Sequence, residues 1–128
     1  MKTIALSIIL FCISLYPQAT NYISKRVTLG NNNAASSMSL TSLLRLDLKN
    51  GTLNIVKGID NKLSVIKVGK FKEMTEESGF LITTFYAQGS SEYAEVETIA
   101  LLSNKALFFI SVGFIGGQKE IYDCEVMK

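Results

Sequence analysis

The sequence predicts an all-β domain: an antiparallel meander of about seven or eight strands forming a small barrel or sandwich, after an N-terminal signal peptide. Three observations carry this. Apolar and polar residues alternate over most of the chain beyond Ser37. The alternating segments recur at a spacing of about ten residues. The breaks between them are short, whereas parallel strands need crossovers of about a dozen residues or more.

Met1 to Ala19 has the layout of a secretory signal peptide: Lys2 as a positive n-region, an apolar run from Ile4 to Leu15 broken only by Ser7, Cys12 and Ser14, then Pro17 and the small Ala19 before the cut. The run is shorter than the ~20 residues of a membrane span, so no span is expected after cleavage. An uncleaved anchor is the alternative, because Pro17 is poorly suited to its place near the cut. Phe11, just before Cys12, argues against a lipoprotein. The expected organisation is a cleaved leader over 1–19, an N-terminal arm and loop over 20–37, and one antiparallel β-domain over 38–128, secreted or periplasmic. A mature chain of roughly 110 residues suits a single core.

The formal net charge is +2, from 13 Lys and Arg against 11 Asp and Glu, and the leader takes Lys2 with it. The charges are interspersed. No basic face invites nucleic acid and no Lys/Arg-rich amphipathic helix invites a membrane surface. The five lysines from Lys57 to Lys72 are the densest positive stretch, and strand alternation divides them between two faces. Cys124 is the cysteine that remains after cleavage, so the mature chain has no internal disulfide, and a buried thiol is the expected state.

In chain order, Arg26 to Leu29 reads as a short first strand, and Gly30-Asn31-Asn32-Asn33 as a turn. Met38, Leu40, Leu44, Leu46 and Leu48 then fall on one face of a long strand, with Ser42 as the exception. A helical face through Leu40, Leu43 and Leu44 accounts for fewer residues. Asn50-Gly51 is a hairpin signal of type I′ and pairs Leu48 with Leu53 and Leu46 with Ile55. Further strands are expected over Lys62–Lys72, Phe80–Ala87, Tyr93–Leu102, Ala106–Ile115 and Lys119–Met127. Gly69 and Gly113 fall inside two of these and read as bends. A three-residue loop at Ser103-Asn104-Lys105 keeps Glu95 and Glu97 off the apolar face, where unpaired carboxylates are costly. The same spacing at Gly116-Gly117-Gln118 places Tyr122, Cys124 and Val126 inward, with Cys124 opposite Ile110.

Little in the chain is equipped for chemistry. With no histidine, the commonest general base, metal ligand and triad member are missing, and one remaining cysteine does not build a zinc site. Glu95 and Glu97 share a strand face but read as a solvated outer surface. Glu73, Glu76 and Glu77 lack the spacing of a calcium loop, and no glycine pattern forms a phosphate cradle. Asn50-Gly51-Thr52 is a formal glycosylation sequon that the turn already explains. The expectation is therefore no enzyme, no metal and no cofactor.

The outer face of the Tyr93–Ile115 hairpin is the feature least explained by folding. Alternation leaves Ile99, Leu101, Leu107 and Phe109 there, near the turn. They form a partner-binding patch unless an N-terminal arm bearing Tyr22 and Ile23, or a second sheet, covers them. The leading expectation is an exported β-domain that binds a protein partner or itself, as an inhibitor, adhesion accessory or envelope component. The alternative is a carrier of a small apolar molecule inside a barrel, with Phe71, Phe80, Phe85, Tyr86 and Tyr93 as possible lining.

Overall fold

A computed structural model describes residues 19–30, 35–58, 60–103 and 107–127. The leader through residue 18, the Asn31–Asn33 part of the first turn and Asn104 and Lys105 of the β6–β7 loop lie outside the described residues. Eight strands follow one another: β1 (Thr20–Gly30), β2 (Ala35–Asp47), β3 (Thr52–Lys57), β4 (Leu63–Glu77), β5 (Phe80–Ala87), β6 (Tyr93–Leu101), β7 (Leu107–Phe114) and β8 (Lys119–Val126). Each pairs antiparallel with the next, and β1 also pairs with β8, so the sheet closes into a barrel rather than a sandwich.

Strand alternation decides what fills it. Leu44 and Leu46 of β2, Leu53 and Ile55 of β3, Ile66 and Val68 of β4, Phe85, Val96, Ile110, Val112 and Tyr122 share one buried cluster with Tyr22 and Val27 of β1. Eight strands leave an interior about wide enough for such side chains to fill. Arg45, Lys67 and Glu73 occupy exposed positions, and the apolar face is the inner one. A membrane barrel has the reverse arrangement.

The first strand is much longer than Arg26–Leu29. It holds Tyr22 and Ser24 inside the barrel and carries an irregularity between Ser24 and Val27 against β8. The β2–β3 turn also differs from expectation. Leu46 pairs with Leu53 and Leu44 with Ile55, which makes a four-residue loop, Leu48 to Gly51. The Asp47 carboxylate accepts the Asn50 backbone N–H at 3.0 Å and Asn50 Nδ2 at 2.7 Å. These bonds, the backbone one foremost, hold its carboxyl below the usual range. This local side-chain bonding wins over a type I′ turn, and of Asn50 and Gly51 only Gly51 has positive φ, 70°. The type I′ geometry instead occurs at Ser78-Gly79, with φ of 52° and 85°. That tight turn lets β4 run on to Glu77, through the stretch expected to be a loop.

Two register irregularities flank Phe71 where β4 meets β5. Gly69 stands beside them, where a Cβ would come within 3.0 Å of the Tyr86 carbonyl oxygen. In the β6–β7 hairpin the pairs Glu97 with Ser111 and Ile99 with Phe109 are those expected, while the ends shift to Tyr93 with Phe114 and Ala100 with Leu107. The β7–β8 turn sits one residue earlier than expected, because Gly116 and Gly117 supply the positive φ. Tyr122, not Cys124, therefore faces Ile110.

The end of β3 tests how closely strands approach. A Cβ on Gly58 would collide with the backbone carbonyl of Thr41, whereas one on Gly79 (φ 85°) meets nothing within 4 Å. Gly79→Ala is expected to cost about 1–2 kcal/mol, the price of a left-handed backbone. Gly58→Ala is expected to cost more, because backbone must move. Urea unfolding of both variants measures the order, and equal losses would contradict the close approach.

Candidate functional site: the polar mouth of the barrel

One end of the barrel gathers the ends of β1, β3, β5 and β7 and the starts of β2, β4, β6 and β8. The inward positions there are not all apolar. Lys57 continues the inward row of Leu53 and Ile55, and Glu120 continues that of Cys124 and Tyr122. β3 and β8 are not neighbours, yet Lys57 Nζ lies 2.9 Å from Glu120 Oε2. The pair spans the interior like a crossbar. Its side chains are 26% and 16% exposed, so it is withdrawn from water without being sealed off. Tyr122 Oη donates to Glu120 Oε1 at 3.2 Å. Burial first, and then the neighbouring carboxylate, push the Tyr122 phenol well above its usual range, so it stays a donor.

Ser42 pairs with Lys57 across the β2–β3 ladder and with Ser24 across the β1–β2 ladder. It is 1% exposed, and its Oγ has no hydrogen-bond partner among the described residues. Its break in the apolar row of β2 is thus a polar group set against the crossbar.

Above the pair lies a cleft of about 370 Å³, lined by Leu29, Gly30, Ala35, Ser36, Phe114, Gln118, Lys119 and Glu120. Leu29, Ser36, Phe114 and Glu120 belong to the inward rows of their strands, and Leu29 pairs with both Ser36 and Glu120. The cleft lies at one side of the barrel's mouth, between the β1–β2 and β7–β8 ends, with Glu120 in its lining. Tyr93 packs on the core and tilts against Phe114, ring centroids 5.1 Å apart. The arrangement offers an apolar wall, a carboxylate, and a barrel interior that is polar where the fold asks only for bulk. Among the described residues no nucleophile is paired with a base there.

The residues singled out by alternation lie elsewhere. Ile99, Leu101 and Phe109 are half-buried on the outer face. Ile99 sits between Ile82 and Phe109, and Leu101 is paired with Phe80. Leu107 pairs with Ala100, and its side chain lies outside the described residues. Tyr22 is in the core and Ile23 pairs with Leu43, so among the described residues no N-terminal arm lies over this face. The more exposed apolar row is on the opposite wall: Ile23, Leu43, Val56 and Leu63 are successive cross-strand partners over β1 to β4. Leu43 is 43%, Leu63 60% and nearby Val65 54% exposed.

Glu95 and Glu97 face outward as expected, and each is held by a lysine. Lys72 Nζ lies 3.0 Å from Glu95 and Lys119 Nζ 2.9 Å from Glu97. Phe71 and Phe85 meet edge to face inside the barrel, at 6.2 Å between ring centroids, while Tyr86 is exposed. Cys124 pairs with Ser24 and its thiol donates to the Tyr122 carbonyl at 3.3 Å. Burial pushes that thiol up to about 12.

No model of a known protein family matches this chain, and no curated protein matches it.

Three inward groups set an alkaline limit. Burial raises Tyr22 from 10.0 to about 12 and Cys124 from 9.0 to about 12, and raises Tyr122 as well. All are acids whose neutral form the folded barrel favours. Their contribution is fully present below about pH 9, and is lost as pH climbs to about 12, because the unfolded chain ionises first. Urea midpoints are expected to stay level from pH 7 to pH 9 and to fall above it, with Cys124→Ala delaying the onset. A midpoint constant to pH 11 would contradict this burial.

Proposed function

We propose that this chain is a non-catalytic binding barrel that holds a small, partly apolar molecule in the mouth bounded by Leu29, Phe114 and Glu120. The observation that carries this reading is the Lys57–Glu120 pair across the interior, with the orphaned Ser42 hydroxyl beside it. A barrel of this size is filled well by apolar side chains, and replacing a withdrawn ion pair with them is often neutral or stabilising. A pair kept at the mouth is therefore read as serving a ligand. The cleft volume lies at the lower end of the ~300–1,000 Å³ range of ligand sites. The leader-like first residues support an exported location, secreted or periplasmic.

The test separates stability from binding. Lys57→Met alone is expected to cost about 1–3 kcal/mol, because Glu120 is left without its partner. Combining Lys57→Met with Glu120→Leu is expected to restore or exceed the original thermal midpoint. The double variant should also lose any small-molecule mass that the purified chain carries in native mass spectrometry. A double variant that stays destabilised would make the pair a structural requirement and remove this support.

A second reading, binding of a protein partner, draws on the Ile23–Leu43–Val56–Leu63 row, in which Leu43 and Leu63 are exposed. Exposed Lys25, Arg45 and Lys67 lie on the same strands, so the fitting partner has an apolar surface rimmed by carboxylates. Leu63→Asp is expected to leave the fold intact and to weaken such a partner by about tenfold or more in titration. Unchanged affinity would discard the reading.

A further inference from the structure

We propose that the mouth selects molecules bearing a protonated amine on an aromatic or aliphatic body, with the nitrogen against the Glu120 carboxylate and the body against Phe114 and Leu29. This rests on the mouth being a binding site and adds the chemistry of what it takes.

The argument begins with which charges face the cleft. Its lining contains two charged residues, Lys119 and Glu120. The Lys119 ammonium is bound to Glu97 on the outer face at 2.9 Å. Lys57, the countercharge of Glu120, does not line the cleft. A molecule in the cleft therefore has the Glu120 carboxylate among its walls, while Lys57, although 26% exposed, is not one of them. Glu120 accepts one bond at each oxygen, from Lys57 at Oε2 and from Tyr122 at Oε1. A carboxylate has about four lone-pair sites, so each oxygen can accept again. An anion in the same place would be set directly against Glu120.

The wall fits the same class. The Phe114 ring lines the cleft and leans on Tyr93, and an aromatic face attracts a cation or stacks with a ring. Leu29 and Ala35 complete an apolar side. Ser36 and Gly30 also line the cleft and bring polar groups to it. Length also matters. The cleft holds a molecule of a few rings at most, which favours small amines over peptides.

The experiment uses the mature chain from Thr20 at pH 7, titrated in turn with 2-phenylethylamine, 2-phenylethanol and phenylacetate, and followed by calorimetry and by amide shifts of Leu29, Phe114 and Glu120. The amine is expected to bind about tenfold or more tightly than either other probe, the measure of one charge-assisted hydrogen bond. Glu120→Gln is expected to bring the amine down to the level of the alcohol. The series on the unaltered chain decides even if that variant does not fold. Phenylacetate or phenylethanol binding as well as the amine, with shifts at the same three residues, would overturn the amine preference and leave the mouth reading standing. No shift at the mouth with any probe would overturn both.

Discussion

Closure by β1 is the constraint from which the rest follows. An eight-stranded meander has two free edges until its first strand finds its last, and β1 satisfies both β2 and β8 at once. To do so it must bend, and the irregularity between Ser24 and Val27 is where it does. Once closed, the ring has an inside of fixed width. Tyr22, Tyr122 and the aliphatic rows fill it, and whatever polar group shares their parity is carried inward with them.

That coupling of parity to position is why Lys57, Glu120 and Ser42 end up facing one another. None is placed by a dedicated loop. Each occupies an inward slot toward one end of the rows, where the long side chains of Lys57 and Glu120 reach across to each other. A crossbar of this kind gives up some stability relative to an apolar plug, and the orphaned Ser42 hydroxyl adds to the cost. On the outer face the glutamates of β6 are matched by lysines two strands away on either side, Lys72 of β4 and Lys119 of β8, so each carboxylate there has its own countercharge.

Much of this was legible in the sequence, and the errors are informative. Two hairpins, β2–β3 and β7–β8, pair two residues away from the expected register, yet Leu44, Leu46, Leu53, Ile55 and Tyr122 still point inward, since a shift by an even number preserves the face. Turn details such as the Asp47 bonds to Asn50 depend on side-chain competition that alternation does not report. The break at Ser42 was visible as an exception within an apolar row. Lys57 and Glu120 were equally visible as charges in phase with core residues, but reading them as partners requires knowing that β3 and β8 look at each other across a closed ring. The exposure of Leu43 and Leu63, against the half-burial of Ile99 and Phe109, depends likewise on which strands flank them, and that is a property of the ring and not of one hairpin.

The pairing of β1 with β8 has a consequence for how the chain reaches this state. Every other strand contact joins neighbours in sequence and can form as soon as a hairpin is made. The closing contact joins the two ends, and its loop entropy is met last. Until Tyr122 and Cys124 have been synthesised, β1 lacks one of its two partners and the interior stays open to solvent. Before β8 pairs with β1 the sheet is an open ribbon with two free edges, so the interior is sealed by one closing contact and not strand by strand.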